Sequence, residues 1–128
     1  MKPIEYLEEF ERLIVETPII KSFQIKERIS RRFEAYIKVR LTLLDDSVLE
    51  ITEFVQASEE DDAQLKRYSY HWMDASSRLK VRWDNVRHYP NLPDFPHHLH
   101  DGDEKNALSG ESMSLQKVLD AISHQLEE

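Results

Sequence analysis

Four of the six histidines of this 128-residue chain fall between residues 88 and 100. They are His88, His97, His98 and His100, and Asp101, Asp103 and Glu104 follow at once. Imidazoles and carboxylates suit zinc, manganese or nickel as ligands. The metal-ligating candidates are therefore His97, His98, His100 and Asp101, for a divalent metal cofactor. Their spacing matches no established metal motif; the competing reading is a polar loop that binds divalent ions weakly. Pro90, Pro93 and Pro96 recur every third residue, a period that favours polyproline II. In that form Tyr89, Leu92 and Phe95 line one ridge, and Asn91, Asp94, His97 and His100 line another. Successive residues on a ridge lie about 9 Å apart at Cα. The expected shape is a strap with an apolar underside and a histidine-bearing edge.

A second set of reactive side chains precedes this strap. Tyr68, Tyr70 and Trp72 alternate, as do Leu79, Val81 and Trp83. Pairing the two sets places Trp72 opposite Leu79, Tyr70 opposite Val81 and Tyr68 opposite Trp83. That register closes on Ala75-Ser76, although neither residue favours the positive φ of a two-residue hairpin loop; a wider turn is the alternative. On the other face His71 then meets Lys80, Ser69 meets Arg82 and Arg67 meets Asp84. Histidine titrates near neutrality, so His71 suits general acid/base work. Arg82 or Lys80 suits stabilising phosphoryl charge. The combination fits metal-independent RNA cleavage. The bland reading is an exposed strand histidine beside a cation, with Trp83 in the core and Asp84 and Asn85 shaping the strand exit. Asp84 and His88 complete the catalytic candidates His71 and Arg82; Lys80, Trp83, His97, His98 and His100 are the binding candidates. Arg82 and His88 lie on a strand pattern, which separates them from the helical Arg-x4-6-His motif of some ribonuclease toxins.

The elements that must position these groups are legible in outline. Residues 3–16 predict a helix, with Pro3 in its first turn and Ile4, Leu7, Phe10, Leu13 and Ile14 as the apolar stripe; Pro18 ends it. Residues 19–29 form a weak strand with Phe23, Ile25 and Ile29 on one face. Residues 33–43 alternate cleanly, Asp45-Asp46-Ser47 is turn chemistry, and residues 48–57 form the next strand. Residues 114–126 predict a closing helix, with Ser114 as N-cap. The expected fold is α+β: a curved antiparallel meander of four to five strands, packed by N- and C-terminal helices, with the Pro/His-rich loop before the last helix. The chain reads as a single domain over 1–128.

Composition narrows the function classes. There is no cysteine, which excludes thiol catalysis and disulfides, and only two glycines, which excludes glycine-rich phosphate cradles. The net charge is −8, poor for general nucleic-acid binding. Residues 65–100 nevertheless carry six basic and three acidic groups and five of the histidines. Such a basic, aromatic-rich patch suits single-stranded nucleic acid. The N-terminus lacks a long apolar run, so the expected location is cytoplasmic, with no membrane contact.

The residues then carry a resemblance. Tyr68-Ser-Tyr-His-Trp-Met-Asp74, Arg82-Trp-Asp-Asn85, His88, and Phe95-Pro-His-His-Leu-His100 with Asp101 and Gly102 together resemble the TumE-type toxin family. The likeness covers about residues 65–104, and the flanking hairpin and helices agree in pattern. Met73 stands where the family pattern has Gln, Ser77 where Gly is common after the turn, and Tyr89 where His is common. The resemblance implies the toxin component of a two-gene toxin–antitoxin module, with a helix-turn-helix-type antitoxin as cognate partner. RNA and a second copy of the chain (a homo-oligomer) are the other partners to be expected. The alternative function is a non-enzymatic interaction module or a metal-binding protein.

Overall fold

The computed structural model describes residues 1–85, 96–103 and 107–126. Helix α1 (Pro3–Glu16) opens the chain, followed by strands β1 (Ile20–Ser30), β2 (Glu34–Leu43), β3 (Val48–Gln56), β4 (Gln64–Met73), β5 (Leu79–Asp84), β6 (His98–Asp101) and β7 (Ala107–Ser109). Helix α2 (Leu115–Leu126) closes it. The strands form one antiparallel sheet in strict sequence order. This is the predicted α+β meander with helices at both ends. It has two to three more strands than the four to five expected, because the end of the Pro/His segment (β6) and residues 107–109 after it (β7) are themselves sheet.

Local chemistry explains the frame. Pro3 sits in the first turn of α1, and Glu5 accepts the Lys2 backbone N–H at 2.9 Å. Ser114 caps α2 by accepting the Lys117 N–H at 3.3 Å. In β2 and β3 burial alternates residue by residue, as a sheet covered on one face requires. The buried positions Ile37, Val39, Leu41, Leu49 and Ile51 join Leu7, Phe10 and Ile14 of α1 and Val118, Leu119 and Ile122 of α2 in one core. Both helices therefore cover the same face. At the β2–β3 turn Asp46 takes a positive φ of 67°, which aspartate tolerates better than most residues. Ser47 of that turn is buried and accepts the Trp72 indole N–H at 3.0 Å.

Two expectations need correction. A bulge between Ile25 and Glu27 flips the alternation of β1, so Phe23 and Ile25 oppose Leu41 and Val39 while Ile29 opposes Tyr36 on the other face. In the β4–β5 hairpin Tyr70 pairs with Trp83 and Trp72 with Val81, two residues away from the predicted register. The reason is the turn. Asp74 accepts the backbone N–H groups of Ser76 and Arg78 at 2.8 and 3.0 Å, and Ser77 takes φ 66°. One residue is added there, and Lys80 is skipped at a bulge next to it.

The core also holds a carboxyl group. Glu53 is fully buried on the helix side of β3. The hydroxyls of Tyr6 and Tyr70 donate to its two oxygens, each at 2.6 Å. Burial pushes this carboxyl above its ordinary range, and the two phenol hydrogen bonds offset part of that rise.

Candidate functional site

The sheet register builds the site. His71 opposes Arg82, and Arg82 opposes His100. One step along, Ser69 opposes Asp84, and Asp84 opposes His98. These two rows flank the Tyr70–Trp83–Leu99 row, which belongs to the core. By alternation they lie on the face away from the helices. The register error was two residues, an even number, beyond the bulge, so His71, Ser69, Arg82 and Asp84 kept their face while their partners changed.

Four of these groups interlock. Asp84, His98 and His100 are only 2%, 4% and 2% exposed. His98 Nε2 lies 2.7 Å from Asp84 Oδ1, and His98 Nδ1 lies 2.9 Å from the Pro96 carbonyl. A carbonyl only accepts, so Nδ1 donates there. Nε2 then faces a carboxylate and needs a proton, or another cation, between the two. Arg82 donates through Nε to Asp84 Oδ2 at 3.1 Å and through Nη2 to His100 Nε2 at 3.1 Å. A guanidinium has no acceptor, so His100 presents a lone pair at Nε2. That nitrogen is also 3.7 Å from Asp84 Oδ2. The imidazoles of His98 and His100 meet edge to face, 5.1 Å apart at an interplanar angle of 75°.

Other sequence-predicted residues fall elsewhere. His97 is not on the same ridge as His100. From His98 onward the chain is a strand, so His98 and His100 share a face and His97 turns to the other side, where it stacks on Tyr68 at 5.9 Å. The Met113 N–H donates to the Tyr68 oxygen at 3.3 Å, and that oxygen shares a hydrogen bond with His97 Nδ1 at 2.7 Å. Burial, with Asp84's charge adding to it and the Met113 N–H offsetting, pushes the Tyr68 phenol up to about 12. Asp101 is exposed and opposes Val81, outside the cluster. Lys80 leaves the polar row at its bulge, and its ammonium lies 4.1 Å from the centre of the Trp72 ring. Trp83 is core, paired with Tyr70 rather than Tyr68. Asn85 ties down the strand exit: its side chain accepts from the Tyr68 N–H and donates to the Lys66 carbonyl, both at 2.9 Å. His88 and the ridge residues 89–95 lie outside the described residues.

Beside the cluster, on the same face, is a cavity of about 580 Å³ lined by Tyr36, Thr52, Phe54, Arg67 and Ser69 among others. The Arg67 guanidinium lies 4.4 Å from the centre of the Phe54 ring. Sequence reasoning passed over Tyr36 and Phe54. Their signal was present: both are aromatic residues at the outward positions of otherwise regular strands.

No helix among the described residues is long and apolar enough to cross a membrane. No curated protein and no solved structure matches the chain. The family model described as Toxin TumE does match, over residues 10–127. It extends the likeness carried by the Tyr-His-Trp and Trp-Asp-Asn strands to the whole sheet, the second half of α1 and all of α2, and so this chain belongs to the TumE toxin family.

Proposed function

We propose that this chain is the toxin of a two-gene module and acts on RNA at the sheet face away from the helices. The observation that carries this reading is the convergence of His71, Arg82, His100, Asp84 and His98 in two adjacent rows beside an aromatic cavity. His71 is half-buried at the margin of the cluster and is the proton-transfer group. Arg82, 28% exposed and aligned by Asp84, is the phosphate clamp. Tyr36 and Phe54 offer ring surfaces on which unpaired bases stack, which favours single-stranded RNA over duplex. The test is incubation of the purified protein with total RNA, with and without chelator and divalent ions, beside His71→Ala and His98→Ala. Cleavage by the wild type that falls at least tenfold in His71→Ala is expected. Equal cleavage in both variants sinks this site.

The edge strand supports a protein partner as well. Phe23, Ile25 and Ile29 of β1 are 48%, 39% and 37% exposed, β1 is an edge strand among the described residues, and such an edge is a template for another chain. In this second reading β1 docks the cognate antitoxin. Copurification of the antitoxin with wild type but not with Phe23→Asp/Ile25→Lys is expected. Retention by the folded double variant removes the edge from the interface, and self-association lost in the same variant assigns it to a second copy.

A further inference from the structure

We propose that Asp84, His98 and His100 form a binding site for one divalent transition-metal ion of the zinc, nickel or manganese class. The carboxylate oxygen and the two imidazole nitrogens lie within 4.8 Å of one another, and all three residues are buried. Two imidazoles and a carboxylate are a ligand set for borderline divalent metals rather than for magnesium or calcium, which take oxygen. The set is oriented as metal ligands are: His98 Nδ1 is anchored on the Pro96 carbonyl at 2.9 Å, which leaves Nε2 to point at Asp84. His98 Nε2 and Asp84 Oδ1 lie 2.7 Å apart. A metal with ligand bonds of about 2.0–2.2 Å fits between them after the pair opens by less than about 1 Å.

Arg82 decides how the ion enters. Its Nη2 contacts the His100 nitrogen that would bind metal, at 3.1 Å, while its Nε holds Asp84 Oδ2 at 3.1 Å. The first contact must break on metal binding; the second can persist and orient the carboxylate. The side chain is 28% exposed, so its outer nitrogen has room to turn toward solvent. In the resting cluster one guanidinium nitrogen of Arg82 thus stands at the His100 position that the ion would take. This inference stands apart from the action on RNA, since its readout is the metal itself.

The experiment begins with the full chain stripped by chelator and dialysed. Zn²⁺, Ni²⁺, Mn²⁺ and Mg²⁺ are then titrated one at a time, with bound metal measured by elemental analysis and calorimetry. One equivalent of Zn²⁺ or Ni²⁺ per chain is expected, with no stoichiometric Mg²⁺. Asp84→Asn, His98→Gln and His100→Gln, checked for folding by circular dichroism, each weaken binding at least tenfold. Arg82→Gln binds as tightly as wild type or more so, and His124→Ala, at an exposed position of α2, is unchanged. Stoichiometric binding retained by the three ligand variants overturns the site, as does no binding by wild type. If the variants fail to fold, Co²⁺ added to wild type decides. Visible d–d bands of nitrogen and oxygen ligation support the site, and their absence at saturating Co²⁺ overturns it.

Discussion

Glu53→Gln tests whether the buried carboxyl of β3 is carried as an acid. Glu53 has no exposed surface, and its two oxygens meet two tyrosine hydroxyls at 2.6 Å. Glutamine keeps the shape: its carbonyl accepts from one phenol and its amide donates to the other. At pH 4 the variant should therefore lie within about 1 kcal/mol of wild type. At higher pH the two part. The folded carboxyl titrates above its ordinary value of 4.5, so the folded state holds its proton longer than the unfolded chain does. This contribution is complete below about pH 4.5 and is lost as pH rises toward the folded-state value, with a limiting slope of about 1.4 kcal/mol per pH unit for one proton. Other carboxylates titrate in both proteins and cancel in the difference. Urea unfolding of both proteins from pH 4 to pH 8 should show glutamine gaining on glutamate as pH increases. A difference flat across that range refutes the reasoning and means that the two phenols stabilise an ordinary carboxylate.

Two more predictions concern the hairpin that carries the site. Ser77 holds a left-handed φ of 66°, so Ser77→Gly should raise stability by about 1 kcal/mol, read as a shift in denaturant midpoint; no gain means that the turn relaxes without cost. Asn85 satisfies two backbone groups of β4, so Asn85→Ala should cost about 1–3 kcal/mol and deprotect the Tyr68 amide in hydrogen exchange, whereas unchanged protection assigns the strand exit to other contacts.

The sequence made some of this molecule legible and hid the rest for identifiable reasons. Alternation over 33–43 and 48–57 placed β2 and β3 and their core face, because burial on one side of a sheet writes itself as a period of two. Both helices announced themselves through Pro3, Ser114 and their apolar stripes. The faces of His71, Arg82 and Asp84 followed from the same period. Their partners did not, because register depends on turn geometry, and Asp74, Ser77 and the bulged Lys80 set it together. The end of the strap reading failed differently, at His98–Asp101; its ridge at 89–95 lies outside the described residues. Proline spacing favoured polyproline II through His100, but pairing with β5 takes over at His98. That pairing, a contact between distant residues, put Asp84 rather than His97 and Asp101 beside His98 and His100.

The strict sequence order of the strands has a consequence for how the toxin comes into being. Every strand pairs with the ones made immediately before and after it, so the sheet can be extended one strand at a time as the chain emerges, with little loop-closure entropy at each step. Asp84 arrives with β5, but both of its histidines arrive with β6. Until then it lacks both imidazoles, and burying a carboxylate without its partners is costly. The His/Asp cluster is thus among the last parts of the sheet to be completed, and a chain interrupted before residue 98 would hold most of the core without it.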